Sequence, residues 1–259
     1  MRFIDTHCHL FWNDFAEDLP EVLERARDAG VDRLIIPAVD FKSFEAAMAI
    51  ADGYHGVYIA VGVHPHDAAK APADLAEQLR ERASHPRVVA IGEIGLDYHY
   101  DYSPPLVQQR VLREQLEVAR SLGLPVILHN RKSDEDVLSI VREFQDGSLQ
   151  GQFHCFSSTA EYATRVLDIG FHISFTGNVT YKKSRFDSLL SLVPDDRLLL
   201  ETDAPFMSPE PMYRKRNEPS YIPFIAQRYA LARNQTLSHI AAITTRNAER
   251  LFALDKRNT

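Results

Sequence analysis

Two histidines stand two residues apart in Asp5-Thr6-His7-Cys8-His9. Positions i and i+2 of an extended chain share a face, so both imidazoles can reach one cation. A pair of buried, hydrogen-bonded histidines is the alternative. Glu93 lies in Ile91-Gly92-Glu93-Ile94-Gly95-Leu96-Asp97, among apolar residues and glycines. A carboxylate there is costly unless a cation or hydrogen bonds compensate it. A bridging metal and an ion pair with an arginine would each do so. The runs Val126-Ile127-Leu128-His129 and Phe153-His154 each end in an imidazole. The run Leu198-Leu199-Leu200 leads into Glu201-Thr202-Asp203. Asp203 then stands at the strand's lip as a ligand or general base, with Glu201 deeper as an orienting group.

Each of these groups alone has an ordinary structural explanation. Five separate apolar runs ending in His, Glu or Asp do not share one, and together they point to a metal centre. Nitrogen and oxygen donors without a necessary thiolate suit Zn²⁺ or Mn²⁺, and several imidazoles speak against an all-oxygen Mg²⁺ site. Six candidate ligands exceed the need of one tetrahedral ion. Two ions about 3.5–4 Å apart, bridged by a carboxylate, use them better. Cys8 and Cys155 alternate with histidines and so face the other way, as small packing residues.

The elements that must position these groups form an alternation. Short apolar runs at 2–6, 33–39, 57–61, 87–91, 125–129, 152–156, 171–175 and 197–201 are hydrophobic on both faces, as buried parallel strands are. Amphipathic stretches at 19–29, 43–51, 105–122, 133–144, 160–169, 219–232 and 237–252 read as helices, several of them stopped by Gly30, Gly123 and Gly170. Roughly eight strand–helix units predict an α/β fold, a single (β/α)₈ barrel of the TIM type over residues 1–259, with the site at the C-terminal ends of the strands. An open doubly wound sheet is the alternative. The proline-rich stretch 204–223 is expected to be an irregular wall of the active-site mouth.

With 259 residues, 45% hydrophobic and 25% charged, the chain has ordinary globular composition, which excludes disorder, collagen and coiled coil. Its 36 acidic against 29 basic residues give a net charge of −7, so it is not a broad duplex-coating protein. Two cysteines do not make a disulfide framework, and the N-terminal residues lack a signal peptide's apolar core. A cytoplasmic, monomeric protein without a membrane contact or an obligate protein partner is expected.

The set Asp5-Thr6-His7-Cys8-His9, Gly62-Val63-His64-Pro65-His66, Gly92-Glu93-Ile94-Gly95-Leu96-Asp97, Val126-Ile127-Leu128-His129-Asn130-Arg131, His154-Cys155-Phe156-Ser157 and Glu201-Thr202-Asp203-Ala204-Pro205 resembles the TatD-type metal-dependent deoxyribonucleases, within the amidohydrolase-like barrels. The motifs run in order along nearly the whole chain. The resemblance implies one metal held by His7, His9, Glu93 and Asp203 and a second held by Glu93, His129 and His154, with Glu93 bridging. It also implies hydrolysis of DNA phosphodiesters from a 3′ end, with Mg²⁺ or Mn²⁺ in turnover, whereas the donor set itself favours softer ions such as bound Zn²⁺. Two positions depart from the family pattern. Ser158 replaces a glycine, and Tyr213-Arg214-Lys215-Arg216-Asn217-Glu218-Pro219 lacks one. Both concern the mouth.

On this reading a metal-held hydroxide attacks phosphorus, and Glu93 and Asp203 are the catalytic carboxylates, with Asp203 taking the water's proton. Arg131 is expected to brace a phosphate oxygen, and Arg214 and Arg216, beside Lys215, to hold neighbouring phosphates. His64 and His66 are placed as substrate contacts or as loop caps. His55, His85, His99, His172 and His239 read as surface or core residues. The expected substrate is a single-stranded DNA end or another phosphodiester. A barrel amidohydrolase for a cyclic amide, ester or lactone, and a non-catalytic metal-binding module, are the alternatives.

Overall fold

A computed structural model describes residues 1–182 and 186–254. Eight strands follow the chain: β1 (Phe3–Asp5), β2 (Val31–Pro37), β3 (Val57–Val61), β4 (Val88–Asp97), β5 (Val126–Arg131), β6 (Gly151–Phe153), β7 (His172–Phe175) and β8 (Leu198–Leu200). They form one sheet in the order of the sequence, and every pairing is parallel. The last strand returns to the first. Thr6 donates its N–H to Leu200, Asp203 to His7 and His9 to Ala204, at 2.7–3.0 Å. These bonds bring the two ends of the sheet together as a barrel, not as a doubly wound sheet with free edges.

The helices are α1 (Leu19–Asp28), α2 (Phe41–Gly53), α3 (Leu75–Ala83), α4 (Pro105–Leu122), α5 (Asp134–Phe144), α6 (Ala160–Asp168), α7 (Asp187–Leu192), α8 (Ile222–Arg233) and α9 (Leu237–Leu251). Local chemistry sets their ends. Asp40 accepts from the Ser43 N–H while Ser43 Oγ accepts from the Asp40 N–H, closing a capping box on α2. Pro105 opens α4, and Gly123 closes it in the left-handed region that a side chain would penalise. The sequence pattern misses α3 and α7, which are short.

Side chains alternate along the strands between two apolar layers, as a pleated chain requires. Phe3, Leu34, Ile36, Ile59 and Val61 pack outward against the helices. Ile4, Ile35, Ala60, Val89, Ile127 and Leu199 share the other cluster with Leu251, Phe252 and Leu254 at the end of α9. Above that layer the interior turns polar. Gln152 Nε2 lies 2.9 Å from Thr6 Oγ1, 2.7 Å from Ser174 Oγ and 2.8 Å from Glu201 Oε2. This layer supports the strand ends that carry the candidate ligands.

The fourth strand departs most from expectation. It runs six residues beyond Ile91: the register shifts between Ile91 and Ile94, across Glu93, and Ile94 to Asp97 then pair with β5, with Gly95 opposite His129. Gly95 has φ +144°, and a Cβ there would collide with the His129 carbonyl oxygen. Glycine is what lets β4 and β5 approach so closely below two functional side chains.

Candidate metal centre

Glu93 is 3% exposed, and its two carboxylate oxygens face different groups. Oε2 lies 3.4 Å from His7 Nε2 and 3.6 Å from His9 Nε2. Oε1 lies 2.9 Å from His129 Nδ1, 2.8 Å from His154 Nε2 and 3.5 Å from His64 Nε2. Asp203 closes the first side, with Oδ1 3.7 Å from His7 Nε2 and 3.5 Å from His9 Nε2. All six expected ligands therefore meet at one end of the barrel, although they come from β1, β4, β5, β6 and β8 or the residues just after them. His64, from the loop after β3, joins them beside Glu93 and His129.

The donor set fits divalent cations. Every ion-pair partner of Glu93 among the described residues is an imidazole; none is an arginine or lysine. The Nε2 atoms of His7 and His9 face each other at 3.0 Å, and the His7 and His154 rings stack with centroids 3.9 Å apart. Burial drives the His7 pKa down to about 3 and that of His64 to about 4, which favours the neutral imidazoles that coordinate metals. Burial also opposes charge on His129, but Asp97 and Glu93 outweigh it and lift that group to about 9. Imidazole nitrogens and carboxylate oxygens crowded in a buried space are the donors that a divalent cation's coordination shell uses.

Orienting groups surround this shell. His9 Nδ1 lies 3.2 Å from the Pro37 carbonyl. Asp97 Oδ2 lies 3.1 Å from His129 Nε2 and 2.8 Å from His66 Nε2. Sequence reasoning gave Asp97 no role. The signal was its spacing of four from Glu93, which keeps both on one face of a strand. Glu201 is buried below the site, accepts the Cys155 N–H and pairs with Gln152, as expected of a deeper orienting group. Cys8 packs in the apolar layer, fully buried.

A cavity of about 410 Å³ opens over the candidate ligands. His64, His66 and Arg131 line it, as do Trp12, Tyr100, Phe206 and Met207, which sequence reasoning passed over. Phe206 and Met207 belong to the irregular stretch after β8, the expected wall of the mouth. Arg214 and Arg216 do not line it. Arg216 reaches the two oxygens of Asp18 at 2.7 Å each and sits over the Phe15 ring, so it ties this stretch to the start of α1. Arg214 is exposed and lies over the ring of Tyr213.

Residues 4–253 match the family model described as TatD related DNase. The chain is 41% identical over 252 residues to "Uncharacterized metal-dependent hydrolase YabD" of Bacillus subtilis, covering 97% of this chain and 99% of that protein. It is 35% identical to "3'-5' ssDNA/RNA exonuclease TatD" of Escherichia coli K12, covering 96% of this chain and 98% of that one. The crystal structure of YJJV, a TatD homolog from Escherichia coli K12, superposes with a TM-score of 0.90 at 34% identity, over 97% of this chain and 98% of the other. An amidohydrolase from Saccharomyces cerevisiae shares the fold at 18% identity with a TM-score of 0.89.

Proposed function

The chain belongs to the TatD-related DNase family of metal-dependent hydrolases, and from that premise we propose that it is a 3′→5′ exonuclease that trims single-stranded DNA at a pair of divalent cations. The observation that carries this reading is Glu93, one oxygen turned to His7 and His9 and the other to His129 and His154. His7, His9, Asp203 and Glu93 would hold one ion; Glu93, His129 and His154 would hold the other. Bound there, Mg²⁺ or Mn²⁺ in turnover, or Zn²⁺ as the resident ion, supplies Lewis acidity, easing the ionisation of water and neutralising charge on phosphoryl oxygens.

The side chains do the rest. Asp203, beside the cavity, takes the proton of the attacking water. Arg131, at the cavity edge with its guanidinium over Tyr100, braces a non-bridging phosphate oxygen. His64 and His66 face the same space from the third strand's end. An acidic chain with a narrow mouth does not grip long duplex, but it admits a strand end. The protein acts as a cytoplasmic monomer in this reading. Among the described residues no helix is long and apolar enough to cross a membrane, and Cys8 and Cys155 are both free.

The rival barrel chemistry, hydrolysis of a cyclic amide or lactone, commonly bridges its metals with a modified lysine. No lysine stands on β4 or β5 here. The test is to assay the purified protein on 5′-labelled single-stranded DNA, a cyclic amide and a lactone, with and without Mn²⁺. Stepwise 3′ shortening that needs metal and is lost in Glu93→Ala and Asp203→Ala is expected. Metal-dependent opening of the ring substrates, with the DNA left whole, would overturn the reading.

A further inference from the structure

The mouth over the ligands is more apolar than its floor. Among the described residues twelve large hydrophobic side chains are markedly exposed, and six of them, Trp12, Tyr100, Tyr102, Phe206, Met207 and Tyr213, lie in loops at the same barrel end. Leaving such surface in water is unfavourable, and a concentrated apolar patch marks a binding surface. Trp12, Tyr100, Phe206 and Met207 are between 40 and 51% exposed and all line the cavity that Glu93 and Asp203 also line.

Topology separates them into two walls. Trp12 follows β1, and Phe206 and Met207 follow β8, the strands that meet where the barrel closes. Tyr100 follows β4, and Arg131 ends β5, on the opposite side of an eight-stranded ring. Ring contacts connect each wall to the floor. His9 lies 6.5 Å from Phe206 and 5.5 Å from Phe11, which lies 5.2 Å from Trp12. His66 lies 5.5 Å from Tyr100, whose ring carries the Arg131 guanidinium at 4.9 Å.

Building on the nuclease reading, we propose that this mouth is a nucleobase subsite. The base next to the scissile phosphate stacks between the Trp12–Phe206 wall and the Tyr100–Arg131 wall, while its phosphate rests over Glu93 and Asp203. A nucleotide has the matching polarity, an anionic end and a flat apolar end. Faces of rings accept any of the four bases, so the subsite reads planarity and not sequence. A base held in a pair cannot enter between the walls, so a duplex end must fray before it is trimmed.

Trp12 is the protein's one tryptophan, so its emission reports the subsite directly and without turnover. The full-length protein in Mg²⁺ is titrated with thymidine 5′-monophosphate, with 5,6-dihydrothymidine 5′-monophosphate, whose base is puckered, and with 2-deoxyribose 5-phosphate. Calorimetry runs in parallel. Thymidine monophosphate should change Trp12 emission saturably and bind about tenfold or more tighter than the other two. Tyr100→Ala, or Phe206→Ala if the first is poorly folded by circular dichroism, should weaken thymidine monophosphate several-fold and leave deoxyribose phosphate unchanged. Equal affinity for all three, or calorimetric binding of thymidine monophosphate with emission unmoved, removes the subsite and leaves the nuclease reading standing. If none of the three binds and single-stranded DNA is not cut, the nuclease reading falls and the subsite with it.

Discussion

Asp97 holds His129 by its Nε2 atom at 3.1 Å, which leaves Nδ1 facing Glu93 at 2.9 Å. A carboxylate on one imidazole nitrogen fixes which nitrogen is left for a metal, and it raises that nitrogen's basicity. The same carboxylate oxygen receives His66, so one fully buried group orients two histidines on the cavity wall.

Asp97→Asn keeps the shape and loses the charge. Metal affinity should fall about 10- to 100-fold, with the fold intact by circular dichroism. Titration against a competing chelator measures it; an unchanged affinity would show that Asp97 is structural only.

Glu93→Gln tests the bridge. A metal that binds the folded state stabilises it, by about 2.7 kcal/mol at a concentration a hundred times its Kd. The Tm of the native protein should rise on adding Mn²⁺ and fall with chelator, while the variant should melt at one temperature in both. A variant that keeps the full metal-dependent rise would contradict the assignment.

Arg216→Ala addresses a residue that the charge pattern alone casts as a phosphate contact. Its guanidinium is engaged by Asp18, with Glu218 at 3.7 Å. The substitution should leave KM for single-stranded DNA within about twofold and lower stability by up to about 1 kcal/mol, as is usual for a half-exposed pair. The sign with pH follows from Asp18, whose carboxyl Arg216 and Arg25 hold at about 2 against an ordinary 3.8. A lowered carboxyl stabilises the fold above its unfolded pKa and loses that contribution as pH falls through the folded one. The gap in Tm between native and variant should therefore be full at neutral pH and close between about pH 4 and pH 2. A gap that widens in acid would refute the pairing.

Gly95→Ala places a Cβ against the backbone of His129. It should destabilise the protein by about 1–3 kcal/mol in denaturant unfolding and weaken metal binding, because β5 must shift to admit it. Native-like stability would mean that the close approach of the two strands is not obligatory.

The candidate ligands were legible in the sequence because each ends or closely follows an apolar run, and a parallel barrel gathers such ends at one rim. His7, His9, Glu93, His129, His154 and Asp203 could all be placed that way. Asp97 was not, since the apolar run breaks off at Ile91 and only paired backbone shows the strand continuing through Gly92 and Gly95. The aromatic walls were not legible either. Trp12, Tyr100 and Phe206 sit in irregular loops without a periodic signal, and their meeting depends on closure of β8 onto β1. The pairing of Arg216 was not legible, because a run of positive charge does not disclose that Asp18, some two hundred residues away, engages it.

Whether one carboxylate serves two cations is tested most directly by crystals grown with Mn²⁺. An anomalous difference map should show two peaks, one between Glu93 Oε2, His7, His9 and Asp203 and one between Glu93 Oε1, His129 and His154. A map with no peak there, or with one ion that leaves either oxygen of Glu93 uncoordinated, would contradict it.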